Sequence, residues 1–455
     1  MSNLVDKRAY KSVILLVDLA LIYVSYIVAF HLRYDDIPQR NWDSFIAVSP
    51  WILIISLFFL SIYEMYSLSR KTVWEIIGGI FVAMTFITFI TMSASFLFRY
   101  FALPRTVIVL SYGISVLLLI LWKIIFLKIN TQSKSGRVLL ISSNADKEKF
   151  VFQMEHPLFR NTRISAVDPE KEYDKVLPSV ENPKYDFILI SSGIRENLKS
   201  QIIYHAMKHN KVIYVVPSLY DLLLAKSIIT SIDDTMVMAV KPFGLTFDEK
   251  IIKRVFDIIV AFFLLVITLP TFLFVALMVK LEDPRSRVIY SQSRLGENNR
   301  EFVLYKFRSM IEDAEKDSGP VLAEKNDKRI TRVGQFIRAT RLDELPQLLN
   351  VLKGDMSLVG PRPEREHFIK ILSEQHKSYH YRNTVKPGLT GYAQIMGSYS
   401  TDVEDKLRFD LYYIRNYSLW LDIVIILRTI VVLLDRTKSE GKQKKTEVPS
   451  RKLSV

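Results

Sequence analysis

KRVFDIIVAFFLLVITLPTFLFVALMVK, residues 253–280, runs from Ile258 to Val279 without a charged side chain. A bilayer core is crossed by about 20 apolar residues, so length alone permits a spanning helix. Two features argue for another path. Pro270 falls mid-run, where it removes a backbone donor and bends a helix. Lys253 and Arg254 precede the run and Lys280 follows it, and positive charge at both ends disfavours opposite sides of a membrane. The preferred reading is a helix–break–helix hairpin that enters one leaflet and returns, with the backbone freed at the break satisfied inside the protein. A proline-kinked spanning helix is the alternative these residues leave open.

Upstream lie four more apolar segments, Ser12–His31, Ile46–Tyr63, Ile76–Phe98 and Thr106–Leu127, each near spanning length. Asp18, inside the first, is expected to face a neighbouring helix rather than lipid. Lys7, Arg8 and Lys11 precede the first segment, Arg70 and Lys71 follow the second, and Lys128, Lys134 and Arg137 follow the fourth. The other two loops carry Arg33 and Arg40, then Arg99 and Arg105, so the balance favours both ends of this bundle in the cytoplasm. The first run is too long for a signal peptide and has no small-residue cleavage site after it.

The 455-residue chain is 49% hydrophobic and carries a net charge of +14. With membrane segments present, that charge points to anionic headgroups and phosphorylated substrates rather than to nucleic acid. Cysteine is absent, which excludes disulfides, thiolate metal sites and a cysteine nucleophile.

From Gly136 the pattern changes. VLLIS (138–142), FILIS (187–191) and VIYVV (212–216) read as buried strands, and the stretches near Asp146–Glu155 and Arg195–Asn210 read as helices. That alternation predicts a small parallel sheet of Rossmann-like type. A nucleotide site there would need a glycine-rich first turn, yet Gly193 is the single glycine between Arg137 and Val240, so the domain is read as structural or regulatory. A linker near Lys241–Asp248 follows. At the far end, Leu419–Leu434 contains Asp422 and Arg428 and is read as interfacial. The tail from Arg436 is basic and expected to be disordered and drawn to anionic lipid.

Chemistry concentrates in TRLDELPQLLNVLKGDMSLVGPRP, residues 340–363. The acids Asp343 and Glu344 sit between Arg338 and Arg341 on one side and Arg362 on the other. Guanidinium forks match phosphate oxygens, and hard cations take carboxylate and phosphate oxygens together, so this pattern suits phosphoryl chemistry. The competing explanation is two acids at an exposed helix start, favoured there by the dipole. Leu345, Leu348, Leu349 and Leu352 supply the helical spacing and Pro346 suits a first turn, so the residues alone leave the two explanations balanced. Arg294, Lys306, Arg308, Arg329 and Lys386 recur beside turn residues as an anion-binding series, and Asp355 and Asp410 are further acidic candidates. His367, His376 and His380 lack ligand spacing and are read as surface residues.

KRVFD, YKFRSM, RITRVG, LDELPQLLNVLKGDMSLVGPRP and KPGLTG, in this order, resemble the bacterial sugar transferases, the monotopic polyprenyl-phosphate glycosyl-1-phosphate transferases. The resemblance covers about Glu249 to Leu434, and long members share the four membrane helices and the middle domain. It implies a membrane α plus α/β fold, with a transmembrane bundle at 1–130, a Rossmann-like domain at 135–242, an α-rich monotopic catalytic domain at 249–436 and a tail at 437–455. It implies transfer of a sugar-1-phosphate from a UDP-sugar to undecaprenyl phosphate with release of UMP, starting a surface polysaccharide at the cytoplasmic face of a bacterial inner membrane. Asp343 would be the nucleophile and Glu344 the metal-associated acid of a Mg2+ site that Asp343 shares. Lys306, Arg338 and Asp410 match further catalytic positions. Arg308, Arg362, Pro361, Pro363 and Lys386 match substrate-binding ones, and Pro270 the residue that breaks the membrane hairpin. Long members tend to be homodimers. Arg341 departs from the small polar residue common in the family. The rival readings are a glycosyltransferase that releases UDP and an inactive scaffold of polysaccharide assembly.

Overall fold

The structure is a computed structural model that describes residues 8–68, 71–98, 103–132, 137–143, 162–312, 314, 327–397 and 401–434. Two compact units divide at Ser218 and Leu219.

The first unit opens with four helices, α1 (Arg8–Arg33), α2 (Gln39–Ile62), α3 (Val73–Leu97) and α4 (Arg105–Gln132). All four expected segments are present, and each is long and apolar enough to cross a membrane. The helices outrun the apolar cores because caps extend them. Thr72 accepts from the Glu75 amide at 3.2 Å while Glu75 accepts from the Thr72 amide at 2.8 Å, a reciprocal box that starts α3 ahead of its apolar run. Asp18 does face a neighbour. Lys123 Nζ donates to Asp18 Oδ2 at 2.5 Å and to the Met65 carbonyl at 2.9 Å, and both side chains are fully buried. Lys123 on α4 thus neutralises the acid of α1 inside the bundle, the arrangement that makes intramembrane charge tolerable.

The same unit holds four parallel strands in the order β2-β1-β3-β4: β1 (Arg137–Ile141), β2 (Arg163–Val167), β3 (Phe187–Ile190) and β4 (Val212–Val215). Three are the expected strands. β2, sequence RISAV, escaped because its arginine and serine interrupt the apolar run, leaving Ile164 and Val167 as its buried positions. Helices α5 (Tyr173–Glu181) and α6 (Glu196–Lys208) pack Val176, Val180, Leu198 and Ile202 against Leu139, Ile141, Ile188 and Ile190. The helix expected near Asp146–Glu155 lies outside the described residues, as does the basic tail.

The second unit begins with α7 (Leu219–Leu224) and an antiparallel hairpin, β5 (Ile228–Ile232) and β6 (Thr235–Ala239). The sequence reading grouped residues 219–242 with the α/β segment. Their contacts lie instead within the second unit, where Leu222 joins the core and Arg415 bonds the Ala225 and Lys241 carbonyls. Then comes α8 (Phe247–Glu282), opened by a Thr246–Glu249 capping box. Pro270 lies inside this helix, so the expected helix–break–helix is one continuous run of helical backbone. Proline deletes one rung of the ladder, and the rungs on either side persist.

Both halves of α8 pack on one body. Val260, Ala261, Leu264 and Leu265 join the cluster containing Leu348 and Val351, while Phe272, Val275 and Val279 pack with Phe307 and Ile337. Leu345 contributes to both clusters. The body comprises the hairpin β7 (Ile289–Leu295) and β8 (Glu301–Phe307), α9 (Arg332–Ala339), α10 (Gln347–Lys353), β9 (Ser357–Val359), α11 (Glu366–Gln375), β10 (Gly388–Thr390), α12 (Tyr392–Met396), α13 (Val403–Arg415) and α14 (Leu419–Leu434).

Candidate active site

The acid pair is presented by a turn. Thr331 caps α9 by accepting from the Gly334 amide at 2.9 Å. α9 lies so close to the end of β8 that a Cβ on Gly334 would stand 2.0 Å from the Ser309 carbonyl oxygen. After α9, Arg341 adopts φ 58° and ψ 15°, left-handed geometry that costs a non-glycine residue about 1–2 kcal/mol. The chain then makes a 3-10 turn over Leu342–Glu344, and Pro346 caps α10. Asp343 and Glu344 therefore precede the helix that the leucine spacing predicted, with Leu345 and Leu348 turned into the core and Leu349 left exposed.

The two carboxylates have different surroundings. Glu344 Oε1 accepts from Lys306 Nζ at 2.8 Å and from Arg362 Nη2 at 2.6 Å. Burial opposes its charge, but Arg362 and then Lys306 hold the Glu344 carboxyl well below the usual range. Glu344 in turn pushes Arg362 up. Asp343 is 8% exposed and accepts no hydrogen bond among the described residues; Lys306 Nζ lies 4.0 Å from its Oδ2. Burial first, and then the Glu344 charge, push the Asp343 carboxyl up, against Lys306, Arg338 and Arg362. The turn thus carries one clamped carboxylate and one whose lone pairs are uncommitted to described residues. The Arg338 guanidinium makes no hydrogen bond to a described residue and adds positive potential at Asp343.

Arg362 arrives on a loop built by close backbone packing. β9 and β10 pair in parallel, and a Cβ on Gly388 would stand 2.0 Å from the Gly360 nitrogen. Pro361 and Pro363 are buried and flank the arginine. Arg308 lies two residues past Lys306, with two buried guanidinium nitrogens, Nε and Nη1, that lack a hydrogen-bond partner among the described residues. Nη1 is 3.5 Å from Glu312.

Two expected site residues have other charged partners. Asp410, 2% exposed, pairs with Arg382 at 2.9 Å rather than joining the acid pair. Lys386 has Arg254, Glu297, Asp257 and Asp355 as charged neighbours, and burial followed by Arg254 lowers its pKa. Asp355 holds Asn350 at 3.4 Å, a structural contact. His367 and His380 are exposed, as expected, and His376 is half-buried. Among the described residues no three His, Cys, Asp or Glu side chains cluster as a metal cage. Asp343 and Glu344 could still hold a hard cation of the Mg2+ kind, which binds through one or two carboxylates plus substrate phosphates.

Several residues that build the site were not read as part of it. Arg254 donates to the Val351 and Leu352 carbonyls at 2.5 and 2.7 Å, capping the end of α10. Lys253 pairs with Asp422 at 2.5 Å, and Asp257 accepts from the Leu358 amide at 3.1 Å. KRVFD is thus the hinge-pin by which α8 grips the core, a signal present in the motif and unread. Buried Asn350 bonds the Tyr305 amide and Val303 carbonyl of β8.

The profile of the family described as "Bacterial sugar transferase" matches residues 248–436. An exopolysaccharide production protein of Rhizobium leguminosarum bv. phaseoli is 44% identical over 201 residues, 42% of this chain and 98% of the relative. The chain belongs to the bacterial sugar transferase family. A UDP-N-acetylgalactosamine-undecaprenyl-phosphate N-acetylgalactosaminephosphotransferase of Aeromonas hydrophila is 46% identical over 186 residues, 40% of this chain and 44% of the relative. A UDP-galactose-lipid carrier transferase of Erwinia amylovora is 28% identical over 433 residues, 88% of this chain and 90% of the relative. The chain spans about half the length of the first of the curated relatives it matches, 44% and 50%. Those relatives are named for different sugars.

Proposed function

We propose that the protein transfers a sugar-1-phosphate from a UDP-sugar to undecaprenyl phosphate through a covalent phosphosugar intermediate on Asp343, with release of UMP, and so begins assembly of a polysaccharide on a lipid carrier. The observation that carries the reading is the unequal acid pair: Glu344 is clamped by Lys306 and Arg362, while buried Asp343 beside it has no hydrogen bond among the described residues. An Asp343 oxygen forms a bond to the sugar-bearing phosphorus as that phosphorus loses its bond to the bridging oxygen, which departs with UMP. An oxygen of undecaprenyl phosphate then bonds the same phosphorus, and the carboxylate is released. Splitting the transfer lets UMP depart before the lipid phosphate attacks. Arg338 and Arg308 have donors uncommitted to described residues, as phosphate ligands require. Mg2+, held by Glu344 and Asp343 with substrate oxygens, would neutralise charge on the diphosphate.

The acceptor lipid accounts for a site built on a membrane helix. Both halves of α8 pack on one body, and Lys253, Arg254 and Lys280 place positive charge at both of its ends, which together support a path that stays on one membrane face, with a bend at Pro270. Asp410, paired with Arg382, is assigned a supporting role, and Lys386 a place outside the reacting centre. Homodimerisation is proposed on the family resemblance alone.

Purified protein incubated with Mg2+, undecaprenyl phosphate and a panel of UDP-sugars tests the function. The expected result is UMP release, a lipid product heavier by a sugar phosphate, and a mass adduct on the protein when acceptor is omitted. Asp343→Ala should abolish all three. UDP release would favour a conventional glycosyltransferase, and no turnover on any sugar a scaffold. Because the chain has no cysteine, single cysteines at Asp248 and Arg287 report topology directly. Impermeant maleimide should label both from the same side, and labelling from opposite sides would show a spanning helix.

A further inference from the structure

Four consecutive carbonyls around Arg362 are each held by a different donor. Pro361 O accepts from the Gly388 amide at 2.9 Å, Arg362 O from Arg382 Nη2 at 2.9 Å, Pro363 O from Arg294 Nη1 at 3.3 Å and Glu364 O from the Leu295 amide at 3.2 Å. The segment belongs to no helix or strand, so these bonds replace the ladder that regular structure would supply. Among the described residues, only the donor to Arg362 is itself pinned by a buried counter-charge. Arg382 is 5% exposed, its Nη2 lies 2.9 Å from Asp410 Oδ2, and its Nη1 donates to Tyr379 Oη at 2.7 Å.

We infer that Arg382 is a positioning residue for the transfer reaction: it fixes the Arg362 backbone so that the Arg362 guanidinium reaches Glu344, and Asp410 holds Arg382 in place. The inference rests on the reading of Asp343 and Glu344 as the reacting pair. Three acceptors on three segments demand a planar, multidentate donor, which arginine provides and lysine does not. A buried ion pair adds little stability over apolar packing, so its value here is directional. The arrangement gives Asp410, far along the chain from the acid pair, an effect on that pair without contact. Flanking prolines restrict the loop, so a shift of the Arg362 carbonyl carries its guanidinium along.

Turnover is measured for the parent, Arg382→Lys, Arg362→Ala and the double variant in one detergent, with melting temperatures alongside. Misplacement of a catalytic contact by about 1 Å can cost up to 100-fold, so Arg382→Lys should lower kcat about 10-fold or more while KM for the UDP-sugar stays within about twofold. The double variant should be no slower than Arg362→Ala alone, since Arg382 acts through Arg362. Should Arg382→Lys melt below the assay temperature, Asp410→Asn, which keeps an acceptor oxygen, takes its place in the same comparison. A general loss of folded protein would multiply with the Arg362→Ala loss instead of vanishing into it. Multiplicative losses, or Arg382→Lys turning over like the parent, overturn the inference and leave the function standing. A parent inactive on every UDP-sugar overturns the reading of the site and this inference with it.

Discussion

Replacing Lys253 by methionine should be among the most damaging single changes in the second unit. Lys253 sits where α8 grips the core, its side chain 8% exposed, 2.5 Å from a fully buried Asp422. Methionine keeps the aliphatic stem and removes the charge, so Asp422 retains the Tyr413 hydroxyl at 2.8 Å as a donor and loses its cation. Breaking one side of a buried pair typically costs about 3–5 kcal/mol, whereas replacing both partners by apolar residues is commonly neutral or favourable. Lys253→Met should therefore destabilise by about 3–5 kcal/mol, and Lys253→Met combined with Asp422→Leu should recover most of it. One kcal/mol shifts a domain of 150–250 residues by about 2–4 °C, so the single variant should melt roughly 6–20 °C lower. The assay is thermal unfolding in detergent across the parent, both singles and the double. The Tyr413 hydroxyl, whose one proton is shared between Asp422 and the Val359 carbonyl 3.1 Å away in the strand leading to Arg362, links the pair to the site, so activity should fall with stability. A loss below about 1 kcal/mol for both singles, or a double variant that loses their sum, would refute the reasoning, because independent sites add and coupled ones do not.

In the bundle, Asp18→Asn or Lys123→Met should lower the melting temperature sharply by leaving one intramembrane charge unpaired, and Asp18→Leu with Lys123→Met should restore it; equal, additive small effects in proteoliposomes would argue against a buried pair. Gly388→Ala would place a methyl 2.0 Å from the Gly360 nitrogen and 2.3 Å from the Thr390 carbonyl oxygen, both backbone atoms. Overpacking of that kind costs about 1–3 kcal/mol or more, and the displaced Arg362 loop should abolish turnover even in protein that still folds, a point settled by assaying folded fractions. Chelation by EDTA should stop UMP release reversibly while moving the melting temperature by less than about 2 °C, since two carboxylates without a third donor hold a cation mainly through substrate oxygens; a large drop in melting temperature would point to a resident structural metal instead.

The legible parts of the fold were those written in local periodicity. The four membrane segments, three of the four parallel strands and Leu419–Leu434 repeat an apolar pattern over enough residues to fix the element type, and caps such as Thr72–Glu75 decided only where each began. β2 and the hairpins β5–β6 and β7–β8 were not read, because strands with exposed or mixed faces carry no such run. At the site, Asp343, Glu344, Lys306 and Arg362 converge, although Lys306 comes from β8 and Arg362 from the loop after β9. What the sequence could not yield is partnership at long range. Nothing near Lys123 names Asp18, and nothing in YHYRNT marks Arg382 as the partner of Asp410. Pro270 was over-read, since loss of one hydrogen bond bends a helix more readily than it ends one.

The unequal acid pair and the membrane helix are one construction. Leu345, next to Glu344, packs in the cluster that receives the first half of α8 and in the cluster that receives the second. Arg254 on α8 caps α10, the helix that the acid pair precedes, and Asp257 on α8 holds the amide of Leu358 in β9, which leads to Arg362. Any movement of α8 against the core is therefore felt on both sides of the Arg362–Glu344 bond. A soluble scaffold could hold the same acids with fewer constraints. Tying them to the helix that meets lipid fixes the distance from Asp343 to the membrane, and that distance matters only if one of the reacting groups is itself anchored there.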